Sequence, residues 1–134
     1  MKTFRDIVAW QKSMRLAAAV YSRSSRFPDT ERFGLTAQLR RAAVSVPSNI
    51  AEGSARDGDG DFLQFLRIAL GSAAELEYQW LLAHDLGYVD APTFASIQAD
   101  VIAVKKMLVS FMKVLRDRKQ GTASGAARLP TANR

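Results

Sequence analysis

The sequence contains no cysteine and only one histidine in 134 residues. Without thiols the chain can form no disulfide or thiolate metal site, and it has no thiol nucleophile. His84, the only histidine, has no second histidine or cysteine with which to share a metal ion, so we interpret it as a helix-end residue. These absences are compatible with a reducing cytosol. We therefore expect a cytoplasmic protein that holds no metal or other cofactor.

Long hydrophobic runs and catalytic motifs are also missing. The longest uncharged apolar run near the N-terminus, residues 16–21, is far too short to span a bilayer, so we expect no membrane partner. Glycine-rich phosphate loops, G-x-S-x-G elbows and H-E-x-x-H pairs are absent. Glu75 and Glu77 lie two residues apart on a predicted helix and point to different faces, so they cannot act as a carboxylate pair. We expect no enzymatic activity.

The segment RDGDGD, residues 56–61, begins like a calcium-binding loop but does not continue as one. Phe62 stands at the sixth loop position, where glycine is required, and Ile68 stands at the twelfth, where a bidentate glutamate is required. A turn whose aspartates cap the next helix explains these residues without a metal ion. The segment predicts a helix start.

Apolar residues recur at three- and four-residue spacings, which indicates an all-α protein. The clearest repeat is a 3-4-3-4 seam formed by Phe94, Ile97, Val101, Val104, Leu108, Phe111 and Leu115. The breaks predict Asp29 and Asp90 as N-caps and Gly87 as a C-terminal cap. The sequence predicts one domain over residues 1–118, an antiparallel up-down-up-down four-helix bundle with helices at about 5–25, 30–55, 60–86 and 91–118. Residues 119–134 are rich in Gly, Ala and Ser, and we expect a disordered tail.

Charge is distributed unevenly along the chain. Residues 1–56 hold ten basic and four acidic residues, residues 57–104 hold one basic and eight acidic, and residues 105–134 hold eight basic and one acidic. A folded chain would pair part of this charge and leave a cationic surface that can contact phosphates. The candidate nucleic-acid-binding residues are Lys12, Arg15, Arg23, Arg26, Arg40, Arg41, Lys105, Lys106 and Lys113. Ordinary solvated cations are the alternative, because no RRM, KH or recognition-helix signature is present.

The stretch SVPSNIAEG, residues 45–53, places a proline and several polar residues inside an alanine-rich helix. Pro47 lacks the amide that would bond to the Ala43 carbonyl, so we expect a kink there. A polar stripe runs beside the apolar one on this helix, and we predict that it forms a hydrogen-bonded network across a helix interface. The candidate residues are Arg41, Ser45, Asn49, Glu52 and, on the third helix, Glu75. The alternative is a solvated helix face with an incidental proline.

Four segments in this order and spacing resemble the four-helix bundle proteins encoded within intervening sequences of bacterial 23S ribosomal RNA genes. They are FRDIVAWQKS, FPDTERFGLTAQLRRAAVSVPSNIAEG, FLQFLRIALGSAAELEYQ and DLGY, and the likeness covers about residues 2–118. The resemblance implies a ring-like homopentamer of antiparallel bundles with no established enzymatic activity. Relatives include accessory proteins of diversity-generating retroelements, which work with a reverse transcriptase and contact nucleic acid through a basic surface. At RDGDGDF the chain departs from its more basic relatives.

Taken together, these features predict a non-enzymatic, oligomeric helical bundle that binds RNA or a nucleic-acid-handling protein through its basic surface. A protein scaffold or adapter with no nucleic-acid role is the alternative, in which the uneven charge serves subunit pairing alone. The segment of residues 40–53 is the most distinctive part of the family pattern. Its small residues, Ala42, Ala43, Ala51 and Gly53, predict a close helix-helix or subunit contact.

Overall fold

A computed structural model describes residues 3–120 of the chain, with side chains described for residues 3–118. Four helices make up most of this range: α1 (Val8–Ser24), α2 (Leu35–Ser54), α3 (Asp59–Asp85) and α4 (Ala91–Gln120). Two short 3₁₀ turns, Phe4–Asp6 and Asp29–Glu31, precede α1 and α2. The described residues contain no strand, which confirms the predicted all-α class.

Each helix packs against its neighbours in sequence, and α1 also packs against α4. Among the described residues, no Cα atom of α1 lies within 8 Å of one in α3, and none of α2 lies within 8 Å of one in α4. Asp59 at the start of α3 pairs with Arg118 near the end of α4, whereas Trp80 late in α3 bonds to Phe94 early in α4. The α3 and α4 helices are therefore antiparallel, and the α1–α4 seam lies on the opposite side of the bundle from the α2–α3 seam.

The core consists of the apolar stripes of the four helices. The predicted α4 seam is buried from Ile97 to Leu115, and Phe94 at its start is half-buried. Trp80 is fully buried, and its indole N–H donates to the Phe94 carbonyl at 3.1 Å, so the large ring leaves no unpaired donor in the core. Phe62 of α3 and Phe111 of α4 meet edge to face at the other end.

The first helix begins at Val8, three residues later than predicted, because a separate turn precedes it. Thr3 and Asp6 form a capping box, in which the Thr3 side chain accepts from the Arg5 amide and the Asp6 carboxylate accepts from the Thr3 amide. Ile7 is then extended (φ −83°, ψ 122°), which separates this turn from α1.

The second helix begins at Leu35, and the prediction that Asp29 caps it is wrong. Asp29 begins the 3₁₀ turn, and Gly34, with φ −102° and ψ −115°, is a non-helical residue directly before α2. Glu31 takes the capping role, because its carboxylate accepts the Leu35 amide at 3.1 Å. Beyond this start, α2 runs without interruption through Pro47 to Ser54.

Two of the three predicted caps of α3 and α4 are present in the structure. Gly87 adopts φ +82° after α3, and the Asp90 carboxylate accepts the Thr93 amide at 2.8 Å, so both predicted caps are confirmed. The RDGDGD aspartates, however, do not cap α3; Asp59 forms an ion pair with Arg118 at 3.1 Å instead. The helix α4 continues to Gln120, two residues past its predicted end. Residues 121–134 of the predicted tail lie outside the described residues.

Candidate functional site

Three of the nine candidate nucleic-acid-binding residues have side-chain partners within the chain. Arg40 donates to the Ser24 hydroxyl at 2.9 Å and to the Tyr21 carbonyl at 3.2 Å, and its guanidinium lies over the Tyr21 ring. Lys105 pairs with Glu77 across α3 and α4 at 2.6 Å. Lys113 pairs with Asp117 one turn later at 3.0 Å, although both side chains remain largely exposed. These contacts fix Arg40 and Lys105 as links between helices.

The other six candidates are exposed, and five of them lie on the α1–α4 side or at its end. Lys12 and Arg15 of α1 and Lys106 of α4 line the groove between these two helices. Arg23 and Arg26 lie beyond the end of this groove, beside the N-terminus of α4. The structure therefore brings together cations that the sequence places about ninety residues apart.

Arg41 does not join this group. It lies one turn before Ser45 on α2, and Ser45 contacts Ser72 of α3, so Arg41 belongs to the α2–α3 side of the bundle.

The α1–α4 groove has an apolar floor. An open cavity of about 280 Å³ is lined by Ile7, Val8, Ala9, Lys106, Met107, Ser110 and Phe111. A second cavity of about 170 Å³ continues along the same seam, with Lys12, Arg15, Leu16, Asp100, Ala103 and Val104 in its lining. The two cavities adjoin at Met107, which lines both, and we call them together the seam trough. Asp100 is the one carboxylate in its lining.

The end of the α1–α4 side carries a small charge cluster around Asp90. The pKa of Asp90 is lowered, first because its carboxylate accepts the Thr93 amide and also because Arg23 and Arg26 lie nearby. Asp90 therefore stays ionised and offsets part of the positive charge of the two arginines. Both arginines remain exposed.

The polar stripe of α2 does make a contact across a helix interface, but with a partner that the sequence did not indicate. The hydroxyls of Ser45 and Ser72 lie 2.7 Å apart between α2 and α3. The Asn49 side-chain amide donates to the Ser45 carbonyl at 2.8 Å and to its hydroxyl at 3.0 Å. Because Ser45 accepts from Asn49, its own hydroxyl proton is available to Ser72. All three side chains are half-buried.

The remaining members of the predicted network lie apart from this serine contact. Glu52 forms an exposed pair with Arg56 along α2 at 3.1 Å. Glu75, on the surface of α3, accepts a 3.4 Å hydrogen bond from Gln79. Within one chain the predicted network is thus divided into separate contacts, and a role for Glu52 and Glu75 between subunits stays a prediction.

The small residues of α2 serve packing inside the chain. Ala42, Ala43 and Gly53 are buried, and Ala51 is half-buried. Gly53 faces α3 so closely that a Cβ built on it would lie 2.7 Å from the Cβ of Phe65 and 2.9 Å from Cδ1 of Phe62. The glycine therefore sets the distance between the C-terminal end of α2 and the N-terminal end of α3.

The outer face of α3 carries exposed apolar side chains that the sequence reading did not single out. Tyr78 is 59% exposed and Leu82 41%, and Ile68 lies further along the same face, whereas Leu81, 46% exposed, lies on the flank away from α2. Ile68, Tyr78 and Leu82 lie at helical spacing on this face, with Gly71 and the exposed Glu75 between them, so the exposed apolar area is interrupted by one charge.

The connection between α1 and α2 presents one exposed aromatic ring. The hydrogen bond from the Leu35 amide lowers the pKa of Glu31 most, and the bond that the carboxylate accepts from the Tyr88 hydroxyl at 2.8 Å lowers it further. The same contact raises the pKa of Tyr88. Phe33 is 84% exposed in this loop, with the Arg32 guanidinium over its ring.

The described part of the chain provides no metal site. None of its His, Asp and Glu side chains form a group of three or more that could hold a metal ion. His84 is half-buried, stacks on Phe94 and has its Nδ1 3.6 Å from the Asp85 carboxylate. Over the same residues, no helix is both long enough and apolar enough to cross a membrane.

Comparison with known proteins places these features in a family. One solved structure, described as a protein of unknown function from the S23 ribosomal protein family of Bacteroides thetaiotaomicron, matches with a TM-score of 0.72 and 28% sequence identity. The match covers 79% of this chain and 99% of that one. No curated protein matches the sequence. The family model described as 23S rRNA-intervening sequence protein matches residues 5–110, and the chain belongs to that family.

Proposed function

We propose that this chain is a non-enzymatic, homo-oligomeric helical bundle of the cytoplasm that binds RNA through its α1–α4 side. The observation that carries the proposal is the clustering of exposed cations on that side, above all Lys12, Arg15 and Lys106 along one groove. Lysine and arginine side chains that neutralise phosphates release condensed counterions, which gives affinity without base recognition. The absence of base-reading motifs is therefore no obstacle to this mode of binding.

The α2–α3 side of the bundle differs from the α1–α4 side in charge and in exposed apolar area. This difference supports the proposal that RNA binds on the α1–α4 side. On the α2–α3 side, Arg41 and Arg67 are exposed together with Glu52, Glu75 and other carboxylates, so positive charge does not accumulate there. The apolar side chains of α3 are exposed on this side as well. A polyanion has less reason to bind this side than the α1–α4 side.

The α2–α3 side suits contact between copies of the chain. Exposed Ile68, Tyr78 and Leu82 supply apolar area, and the half-buried Ser45–Asn49 pair supplies polar contacts on the same side. An oligomer that buries this side would leave the cationic α1–α4 side free for RNA. The family resemblance implies five copies.

Matched pairs of charge substitutions test RNA binding. Lys12→Gln with Lys106→Gln removes two charges from the groove, and Arg41→Gln with Arg67→Gln removes two from the other side. Fluorescence anisotropy with a labelled single-stranded RNA should show that the groove variant binds at least about ten-fold more weakly than the wild type, because two charge-assisted contacts are lost. The control variant should bind within about two-fold of the wild type.

Equal losses in both variants would show that net charge alone governs binding and would contradict a site on the α1–α4 side. If the wild-type protein binds no RNA at physiological salt, the RNA proposal is wrong and the scaffold alternative takes its place.

Native mass spectrometry tests the assembly. Leu82→Glu places a charge on the outer face of α3, where burial of an unpaired carboxylate is costly, so the oligomer should dissociate. Val109→Glu is the control, because Val109 of α4 is 50% exposed and lies on another helix. A wild-type protein that is monomeric at micromolar concentration would contradict the proposal.

A further inference from the structure

The seam trough is two adjoining cavities whose lining is mostly apolar and carries cations. Half-buried Val8 and Met107 are exposed in it above the buried Ile7 and Phe111, and Lys12 and Lys106 also lie in its lining. From residue 100 to residue 111 of α4, the trough extends roughly 16 Å at the helical rise per residue. Contacts to phosphates require only cations. Because the trough also has an apolar floor, it suits a ligand that has both charged and apolar parts.

We infer that the seam trough holds unpaired RNA, with phosphates at the lysines and bases on the apolar floor. This inference rests on the proposed RNA-binding function and adds a preference for single strands. A duplex keeps its bases stacked and paired inside and presents phosphates, so it gains nothing from the floor. An unpaired strand can turn its bases inward and bury their faces while its phosphates stay at the rim.

The charge and the lining of the trough support this occupant. Lys12, Arg15 and Lys106 outnumber the single carboxylate, Asp100, so an anionic ligand complements the rim. Ala9, Ala103 and Ser110 are small, which keeps the trough open.

The surface of the floor favours bases of any sequence. Met107, which lines both cavities, supplies a polarisable thioether to aromatic rings. Ser110 is the one neutral side chain with a polar group in the trough lining, so base edges find few partners there. We expect binding with little sequence preference.

A trough-filling substitution tests the inference without changing charge. Ser110→Phe places a ring over the trough, and Val109→Phe places the same ring on a neighbouring exposed position that lines neither cavity. Anisotropy is measured with a 15-nucleotide oligoadenylate and with a 15-base-pair RNA duplex, each carrying the same dye. Circular dichroism melting confirms that both variants fold.

The wild type should bind the single strand about ten-fold more tightly than the duplex, and Ser110→Phe should remove most of this difference while duplex affinity stays unchanged. Val109→Phe should behave as the wild type. Equal wild-type affinities for strand and duplex would overturn the inference while leaving the RNA proposal intact, and binding of neither would overturn both. If Ser110→Phe instead dissociates the oligomer and spares strand binding, the trough is an interface between copies and the inference is wrong.

Discussion

Substitution of Gly53 by alanine should destabilise the bundle, although alanine is the better helix former. The added Cβ would lie 2.7 Å from the Cβ of Phe65 and 2.9 Å from the Phe62 ring. The Cβ of Phe65 is attached directly to the backbone, so no rotamer change relieves that contact. The C-terminal end of α2 and the N-terminal end of α3 would have to move apart, and the packing around Phe62 would loosen.

The magnitude follows from two opposing effects. Overpacking of a close contact costs about 1–3 kcal/mol, and replacement of a helical glycine by alanine contributes up to about 1 kcal/mol in the other direction. Gly71 of α3 is the matched control, because nothing lies within 4 Å of a Cβ built there. Gly71→Ala should therefore gain stability by up to about 1 kcal/mol, and the two variants should differ by about 2 kcal/mol.

Urea denaturation at one protein concentration measures this difference, and thermal melting should show it as roughly 4 °C per kcal/mol. Sedimentation velocity must show the same assembly for both variants, because Gly71 lies on the side proposed for contact between copies. If Gly53→Ala is as stable as Gly71→Ala in the same assembly, the tight α2–α3 contact does not exist as described.

Three further predictions concern single contacts. A double-mutant cycle of Ser45→Ala and Ser72→Ala should give a coupling free energy of about 1 kcal/mol in urea denaturation; additive effects would contradict the bond. Tyr88→Phe should lower Tm at pH 7. The pKa of Glu31 is lowered in the fold, so its bond to Tyr88 contributes fully to stability above about pH 4.3 and is lost as the pH falls through the folded-state pKa. The difference in Tm between the wild type and Tyr88→Phe should therefore shrink in acid. A difference that stays constant with pH would refute this. Gly87→Ala should cost about 1 kcal/mol of unfolding free energy, since φ is +82°; an unchanged midpoint would contradict the left-handed cap.

The helical seams could be predicted from the sequence because their signal is local. The 3-4 spacing from Ile97 to Leu115 belongs to one helix and is buried as predicted. Gly87 and Asp90 act within one turn of their own positions, so their roles also follow from sequence.

The predictions of helix caps were wrong where a residue distant in sequence bonds to one of the residues at the helix start. Asp29 has the chemistry of an N-cap, but Glu31 caps α2 and is also held by Tyr88, which lies 57 residues away. Asp59 lies in the first turn of α3, where an aspartate can cap the helix, but its carboxylate pairs with Arg118 near the end of α4 instead.

The candidate site shows the same limit. The sequence identified the cations but could not divide them into those bonded within the bundle and those at the seam, because this depends on how α1 meets α4. Arg40 and Lys105 are bonded to neighbouring helices, whereas Lys12 of α1 and Lys106 of α4 line the two cavities along the α1–α4 groove. Likewise, Ser72 has no feature in the sequence that marks it as the partner of Ser45.

The salt dependence of binding to single-stranded RNA tests the central claim most directly. The logarithm of the association constant should fall linearly with the logarithm of salt concentration, with a slope of about −0.7 for each phosphate contacted. Lys12→Gln with Lys106→Gln should make this slope shallower by about 1.4, while Arg41→Gln with Arg67→Gln leaves it unchanged. An identical slope in the wild type and the groove variant would contradict RNA binding on the α1–α4 side.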